Sequence, residues 1–368
     1  MNKNNIIIFL ATCLVLTGIV VLYVWLPEID LLGDKRAEKV LEIYDTRAAG
    51  WASGKKTFVI YSKYGWTNRM QDRAEFRDIY DGSVYKDGKT VIKKMRAGTV
   101  EVNNITDETL VYGGSGGQLR TKALIDLKGD GKFSLITCGN IRYDHGKNTA
   151  VFNGDPRLSS IAFTIQGTTM EVLSAQKISN LSGNVRMETK NRDGIKTTVS
   201  SDMAQLFNDT YNTVFSKNVI AVQKNKKAFC DLLTYTDSDK KLLLSGRVKV
   251  FFKNASQIIK KERAKSLRNR EAKKVLAQET KLTCGAFELS TTNANAKAVQ
   301  DVVVTQKASQ ARSDNAAYDD DNETITLTGN VYLKKEKEWL KTKKVIVYLK
   351  TERFEASGGV ESIFNLKK

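Results

Sequence analysis

Histidine and proline are nearly absent from this chain, which has one His and two Pro among 368 residues. A single His, His145, cannot supply a His-based metal cluster or a convincing catalytic triad. The four cysteines form no C-x-x-C pair, which argues against a structural zinc site. We therefore expect no enzyme activity, no catalytic residues, no metal and no cofactor.

The residues that are abundant favour β-structure and an anionic partner. With 25 Gly, many Val, Thr and Asn, and 41% apolar residues, the chain suits twisted strands joined by tight turns. Its length allows about two domains. The formal net charge of +18 predicts an anionic partner, and nucleic acid, phospholipid headgroups and a phosphorylated glycolipid all fit that charge.

A membrane anchor is predicted near the N-terminus. Residues 6–26 form a run of 21 uncharged, mostly apolar residues, which as a helix would span roughly 32 Å, about one hydrocarbon core. The run is too long for a cleavable signal peptide, and no small-x-small site follows it. The flanking charges favour a cytoplasmic N-terminus. We expect residues 1–27 to form a transmembrane helix in the inner membrane and residues 28–368 to lie beyond it, so cytosolic nucleic acid is not expected as a ligand.

The segment after the anchor predicts a helix and then strands. Residues 34–47 have apolar side chains at helical spacing, so we predict a short juxtamembrane helix within a linker over residues 28–55. From Thr57 onward the pattern alternates with period two. It includes a predicted hairpin, SVYKDGKTV, with an Asp-Gly turn.

A short motif with a small residue, a Gly and then an apolar side chain returns along the chain. Its copies are TCGNIRY from Thr137, LSGNVRMET from Leu181, LSGRVKVFF from Leu244, TCGAFEL from Thr283, LTGNVYLKK from Leu327 and ASGGVES from Ala356. A Gly within a strand removes a side chain and lets the backbone bend. We predict that the motif marks the inward bend of a repeated strand, with the Gly on the apolar face.

The same part of the chain contains a longer internal repeat. Residues 218–250 align without gaps to residues 301–333, at an offset of 83 residues, and the register holds back to about Thr197 and Thr280. The identities include Gln223 with Gln306, Asp231 with Asp314, Tyr235 with Tyr318, and Gly246 with Gly329. A repeat of this kind indicates one architectural unit used twice.

Period-two alternation within the repeat predicts antiparallel strands with one apolar face and one polar face. The apolar face contains the candidate lipid-contacting residues Leu181, Val185, Met187, Leu242, Leu244, Val248, Val250, Ile325, Leu327, Val331 and Leu333. A filled protein core would need the same apolar side chains at these positions.

One basic, helix-prone insertion interrupts the repeat at residues 254–279. It has eight Lys or Arg before Val275 and only two Glu. The candidates for contact with anionic headgroups are Lys260, Lys261, Arg263, Lys265, Arg268 and Arg270. A solvated helical excursion is the alternative interpretation.

The motifs resemble a known family. The succession NV-x-V-x-Q, D-x-x-x-Y and L-[ST]-G-x-V-x-[VL] is similar to the OstA-type β-jellyroll of the lipopolysaccharide (LPS) transport bridge. The resemblance covers about residues 196–364 and is fainter over residues 56–188, where the anchor and YKDGKTV resemble the LptC pattern. It implies an LptC-like jellyroll at 56–195 and an LptA-like jellyroll at 196–368, each mainly β, with two antiparallel sheets in an open V.

The resemblance also implies a function. An inner-membrane-anchored, periplasmic protein would accept LPS or a related glycolipid from an ABC exporter and pass it along an apolar groove toward the outer membrane. Its open sheet edges would pair with other β-jellyroll bridge proteins. Two other functions fit the residues: a cell-envelope scaffold or adhesion protein with a closed core, and an anchored binder of anionic polymers.

Overall fold

The computed structural model describes residues 39–52, 54–86, 88–114, 120–161, 163–190, 196–223, 226–253, 278–290, 295–351 and 353–363. Contacts divide the chain into residues 1–38 and one compact unit over residues 39–368. The predicted transmembrane helix and residues 254–277 of the basic insertion lie outside the described residues. Within those residues, no helix is long and apolar enough to cross a membrane.

The described residues form strands, all paired antiparallel. These are β1 (Lys39–Ala52), β2 (Lys55–Asn68), β3 (Arg73–Lys86), β4 (Lys89–Asn103), β5 (Glu108–Tyr112), β6 (Thr121–Ile125), β7 (Ser134–Cys138), β8 (Asn140–Asp144), β9 (Thr149–Asn153), β10 (Arg157–Ser159), β11 (Phe163–Gln166), β12 (Thr169–Leu173), β13 (Ile178–Lys190), β14 (Lys196–Phe207), β15 (Thr213–Gln223), β16 (Lys226–Thr236), β17 (Lys241–Phe252), β18 (Thr280–Ser290), β19 (Ala296–Gln306), β20 (Ser309–Asp319), β21 (Thr324–Lys335), β22 (Glu338–Tyr348), β23 (Arg353–Ser357) and β24 (Glu361–Ile363). The mainly β prediction is confirmed.

The strand pairings define two layers that the long strands share. Layer one runs from β1 to β4, continues through the short strands β5, β8, β9 and β12, and passes from β13 to β22 and on to β23. Layer two uses the other halves of the same long strands, with β6, β7, β10 and β11 between β4 and β13, and ends on β24. Because neighbouring strands lie about 4.8 Å apart, this long antiparallel sheet extends on the order of 90 Å. The arrangement is consistent with a β-jellyroll.

Each long strand bends where it passes from one layer to the other. On β17 the pairing with β18 shifts between Ser245 and Val248, and the two residues between them, Gly246 and Arg247, both have positive φ (72° and 47°). Equivalent shifts divide β13 through β21. An extra residue in one strand of a pair increases local twist and bends that strand. These register shifts, which we term corners, therefore fold the sheet onto itself.

The recurring Gly motif marks these corners, which confirms the predicted bend. Gly183, Gly246 and Gly329 lie at register shifts with φ between 72° and 76°. The predicted position of the Gly on the apolar face is wrong. A Cβ added at Gly246 would lie 2.6 Å from the Asp231 carboxylate of the neighbouring strand, and not in the interior. The missing side chain makes room for this carboxylate.

Carboxylates at the corners bind the left-handed residue of the next strand. The Asp231 carboxylate accepts hydrogen bonds from Arg247, with an Nη2–Oδ1 distance of 2.6 Å, and this contact lowers the pKa of Asp231. In the second copy of the repeat, Asn330 donates from Nδ2 to Asp314 at 3.0 Å. The two corners therefore have the same polar contact with a different donor.

Side-chain hydrogen bonds confirm the 83-residue repeat in three dimensions. Tyr235 donates to Asp237, whose backbone N–H donates to the Asn212 side chain. Tyr318, Asp320 and Asn295 make the same two bonds 83 residues later. Such agreement in detail shows that the two copies have the same local fold. The predicted domain division at residue 195 stays a prediction, and β13 and β14 pair across it.

The predicted juxtamembrane helix is wrong over its described part. Residues 39–47 belong to β1, which pairs with β2 along its whole length. The apolar side chains that suggested a helix face remain exposed, with Leu41 50% and Tyr44 71% accessible. A helix there would have had no surface on which to bury its apolar stripe, whereas β2 supplies a full ladder of backbone hydrogen bonds.

Replacing a corner glycine should destabilise the fold. Gly329→Ala forces a side chain into a left-handed conformation (φ 76°) and into contact with the Asp314 carboxylate, so we expect a loss of about 3 kcal/mol. Gly88→Ala is the matched control, since Gly88 has φ 77° with no atom within 4 Å of the added Cβ, and should cost roughly 1–2 kcal/mol. Denaturant unfolding measures both. Equal costs would contradict the close contact at the corner.

Candidate functional site

The inner faces of the two layers build an apolar interior along the molecule. Buried residues from both layers, from Ile60 to Val302, form one hydrophobic cluster, and a second cluster contains Leu327, Val331, Leu340 and Val345.

The interior has a regular floor where the layers meet. Just past the corner in every second strand pair from β13 to β22, a valine pairs with a small side chain on the next strand: Val185 with Ser201, Val219 with Cys230, Val248 with Cys284, Val302 with Ser313, and Val331 with Thr342. All ten side chains are at most 7% accessible. We call this row the floor. The small residues let the two layers converge there.

All the candidate lipid-contacting residues face the interior. Leu181, Val185, Met187, Leu244, Val248, Val250, Leu327 and Val331 are buried, and Leu242, Ile325 and Leu333 are half-buried against them. Their neighbours Lys249 and Tyr332 point outward on the same strands. Whether these side chains contact lipid stays a prediction.

Burial falls from the floor toward the ends of the strands in the second copy of the repeat. On β21, Val331 at the floor is 2% accessible, whereas Leu333 and Ile325 farther out are half-buried. On β19, Val302 at the floor is 1% accessible and Val304 is half-buried. The interior is therefore filled at the floor and more accessible near the strand ends, which we call the mouth.

In the first copy of the repeat, a loop crosses the mouth. The loop over residues 126–133 joins β6 to β7 at the edge of layer two, and Tyr211 lies in the connection from β14 to β15 at the edge of layer one. The Lys128 ammonium lies 3.6 Å from the centroid of the Tyr211 ring. Phe163 of layer two meets the same ring edge-on, with centroids 6.4 Å apart. We call the 126–133 loop the strap.

Local interactions hold both ends of this contact. The Asp126 carboxylate accepts hydrogen bonds from the backbone N–H groups of Gly129 and Gly131, each at 2.8 Å. Tyr211 has φ 59°, uncommon for an aromatic residue, and its N–H donates to the Phe207 carbonyl at 2.8 Å. Burial raises the pKa of the Tyr211 hydroxyl. The contact therefore joins two ordered edges.

The internal repeat reveals what the strap covers. Leu206 and Val199 are 0% and 2% accessible, whereas Leu289 and Leu282, their equivalents 83 residues later, are half-buried. Thr213 is 2% accessible and its equivalent Ala296 is half-buried. Since strand positions match, the difference reflects the covered mouth of the first copy.

Of the three described cysteines, Cys230 and Cys284 belong to the floor, and none of the three is a reactive site. Cys138, Cys230 and Cys284 are free and buried. Burial raises the pKa of the Cys138 and Cys230 thiols to about 12 and that of Cys284 to about 11. The repeat replaces Cys230 by Ser313 and Cys284 by Ser201. The Ser313 hydroxyl, itself 5% accessible, has no hydrogen-bond partner among the described residues.

Sequence reasoning found the apolar face but missed the floor and the strap. The floor could have been found by placing the 83-residue copies side by side, since every corner is preceded or followed by a small residue. The strap has no comparable signal in the sequence. Its contact joins Lys128 to Tyr211, which are distant in the chain and belong to different layers. The six predicted headgroup contacts of the insertion, residues 260–270, lie outside the described residues.

The fold and the interior define a class of protein: a mainly β protein with a long antiparallel sheet, consistent with a β-jellyroll, and an apolar interior. The match to a family of known proteins is in accord with this class. Residues 198–353 match the family described as LptA/(LptD N-terminal domain) LPS transport protein. They form a domain of this LPS transport family, which is not a family of enzymes.

Two further comparisons were made. No curated protein matches the chain. Among solved structures, the chain is similar to LptH, the LptA homologous periplasmic component of the conserved lipopolysaccharide transport device from Pseudomonas aeruginosa. The identity is 16% and the TM-score 0.26, over 27% of this chain and 73% of that chain.

Proposed function

We propose that this chain is an inner-membrane-anchored, periplasmic component of LPS export. It accepts LPS or a related glycolipid from an inner-membrane ABC exporter and passes it along the interior toward the outer membrane. The observation that carries the proposal is the apolar inner face of β13–β22, which reaches a half-exposed mouth within the family-matched region.

The apolar interior suits the transport of acyl chains through water. Removing a methylene group from water is worth about 0.8 kcal/mol, so an acyl chain of a dozen carbons resists crossing water by roughly 10 kcal/mol. An apolar path removes most of that barrier without catalysis. In an open V, the acyl chains lie between the layers near the mouth and the phosphorylated headgroup stays outside in water. Lipid enters by displacing or sliding over the half-buried side chains of the mouth.

The edge strands at the two ends of the long sheet are where partner proteins would bind. β1 pairs only with β2 among the described strands, and β23 and β24 pair only with β22. Among the described strands, these edges lie at opposite ends of the long sheet, and their outer sides have no neighbouring strand. Pairing with another jellyroll there would extend the interior from one protein to the next.

A closed-core scaffold is the second candidate. The observation that favours it is the filling of the floor, where Val185, Val219 and Val248 are each 1% accessible, together with the strap across the first copy. A scaffold of this kind would hold no lipid at any stage of its purification.

Purification of the full chain distinguishes the two functions. The chain should remain with membranes after alkaline carbonate extraction, as an anchored protein does. When it is solubilised in mild detergent and purified, mass spectrometry of the organic extract should detect LPS or a related glycolipid at a substantial fraction of one molecule per chain. A chain that is released by carbonate would contradict the anchor, and a lipid-free chain would favour the scaffold.

A further inference from the structure

The outer face of layer two concentrates positive charge in the second half of the chain. Along β15–β22, its outward positions contain six cations: Lys227, Lys249, Lys281, Arg312, Lys334 and Lys341. No Asp or Glu occupies an outward position of layer two on these described strands. Carboxylates border this surface at the corners, where Asp231 already binds Arg247, and at its end, where Glu361 of β24 pairs with Lys341. We call this surface the basic face.

Aromatic rings are distributed among these cations in register. Phe229 pairs directly with Lys249, and Phe251 lies between Lys227 and Lys281. Farther along the sheet, Tyr332 lies between Arg312 and Lys341, and Trp339 pairs with Lys334. Each of the four aromatic residues on the basic face therefore has a cation on a neighbouring strand.

The geometry of two pairs shows how rings and cations share the surface. The Lys227 ammonium lies 4.6 Å from the centroid of the Phe229 ring, and the Lys341 ammonium lies 5.2 Å from that of Trp339. The rings are half-buried, and Phe229 packs edge-on against Phe251 at 5.8 Å. The rings thus form a low apolar layer among exposed ammonium groups.

Layer one supplies an internal control for the same strands. Its outward positions mix signs: Glu288 pairs with Lys297 across β18 and β19 and forms a salt bridge of 2.9 Å with Lys241. The concentration of positive charge on layer two is therefore not a consequence of the chain's overall composition.

We propose that the basic face docks on an anionic phospholipid bilayer. An array of Lys and Arg attracts anionic headgroups, and aromatic rings favour the boundary between headgroups and acyl chains. The rings of this face are half-buried among the cations, whereas base stacking by nucleic acid requires ring faces that are open to the bases. The docking concerns the outside of layer two and does not depend on lipid transport through the interior.

A vesicle-tethering experiment with the full chain tests this proposal. The chain is inserted through its proposed anchor, residues 1–27, into donor vesicles of pure phosphatidylcholine. Fluorescent acceptor vesicles contain either phosphatidylcholine alone or phosphatidylcholine with phosphatidylglycerol. We expect the donors to capture the acceptors that contain phosphatidylglycerol and to leave the neutral acceptors free. Equal capture of both kinds of vesicle would overturn the proposal.

Two matched charge reversals locate the surface. Lys249→Glu with Lys281→Glu changes the basic face, and Lys297→Glu with Lys344→Glu makes the same change in net charge on layer one. The first pair should weaken capture by about 30-fold or more, whereas the second should change it by less than about threefold. Equal losses in both variants would indicate attraction by net charge and would overturn the proposal.

Two further arms exclude other sources of binding. Neutralising the basic residues of the 254–279 insertion should leave most of the capture, and complete loss there would assign docking to the insertion instead. Inorganic phosphate at constant ionic strength should not compete, because a bilayer engages many sites at once; strong competition would reduce the face to a phosphate site. If the Glu variants unfold at a lower denaturant concentration, the corresponding Gln variants replace them in the same comparison.

Discussion

A photo-crosslinking amino acid in place of Leu289 or Leu333 should capture glycolipid in cells. Both side chains face the interior and are half-buried near the mouth of the second copy of the repeat, one in each layer. Acyl chains that pass between the layers must contact these positions. Crosslinked product is detected as a species that reacts with antibody against LPS after denaturing electrophoresis.

Outward and covered positions serve as controls for this experiment. The same amino acid at Thr326 or Ala317, which face outward on layer one, should give no glycolipid product. Floor positions such as Val331 are poor probes, since a larger side chain in a filled site costs roughly 1–3 kcal/mol through overpacking. Equal labelling of inward and outward positions, or labelling of neither, would reject the lipid path and favour the closed scaffold.

Loosening the strap should expose the covered interior of the first copy. In a chain whose native cysteines are replaced, Leu206→Cys should react slowly with a thiol reagent, because Leu206 is 0% accessible. A cation–π contact is worth about 0.5–2 kcal/mol, so adding Lys128→Ala should raise the labelling rate about 2- to 30-fold. The rate is followed by mass spectrometry under native conditions.

The repeat supplies the reference rates for this measurement. Leu289→Cys, at the equivalent uncovered position, should react rapidly with or without Lys128→Ala. Lys227→Ala removes a cation–π contact of the same kind on the outside of layer two and should leave the Leu206→Cys rate unchanged. An unchanged rate with Lys128→Ala would mean that the strap does not control access to the interior.

Local sequence patterns were sufficient to predict the structure wherever the environment of a strand repeats along the chain. Leu244, Val248, Leu327 and Val331 face the interior as period-two alternation predicted, because one face of each strand packs on a core and the other meets water. The offset of 83 residues predicted that the two copies have matching folds. The structure confirms this prediction, because equivalent residues make the same hydrogen bonds in both copies. The predicted hairpin is present as the antiparallel pair β3 and β4, with Lys86 paired to Lys89.

Local patterns failed where a distant partner decided the outcome. Residues 39–47 have helical spacing, yet they form β1 because β2 offers a ladder of backbone hydrogen bonds. The Gly of each motif was expected to face the interior. At Gly246 and Gly329, however, two successive left-handed residues turn the Cβ direction toward a carboxylate on the preceding strand.

The sequence alone therefore determined the class of fold, the repeat, the bend positions and the apolar face, because each depends on residues close together in the chain. Tertiary structure decided which half of each strand joins which layer, where the mouth is covered and which outer face concentrates positive charge. Lys128 meets Tyr211, and Arg312 lies beside Tyr332, only after strand register brings them together. Register is a property of paired strands. The pattern of a single strand therefore cannot specify which residues of other strands or loops will contact it.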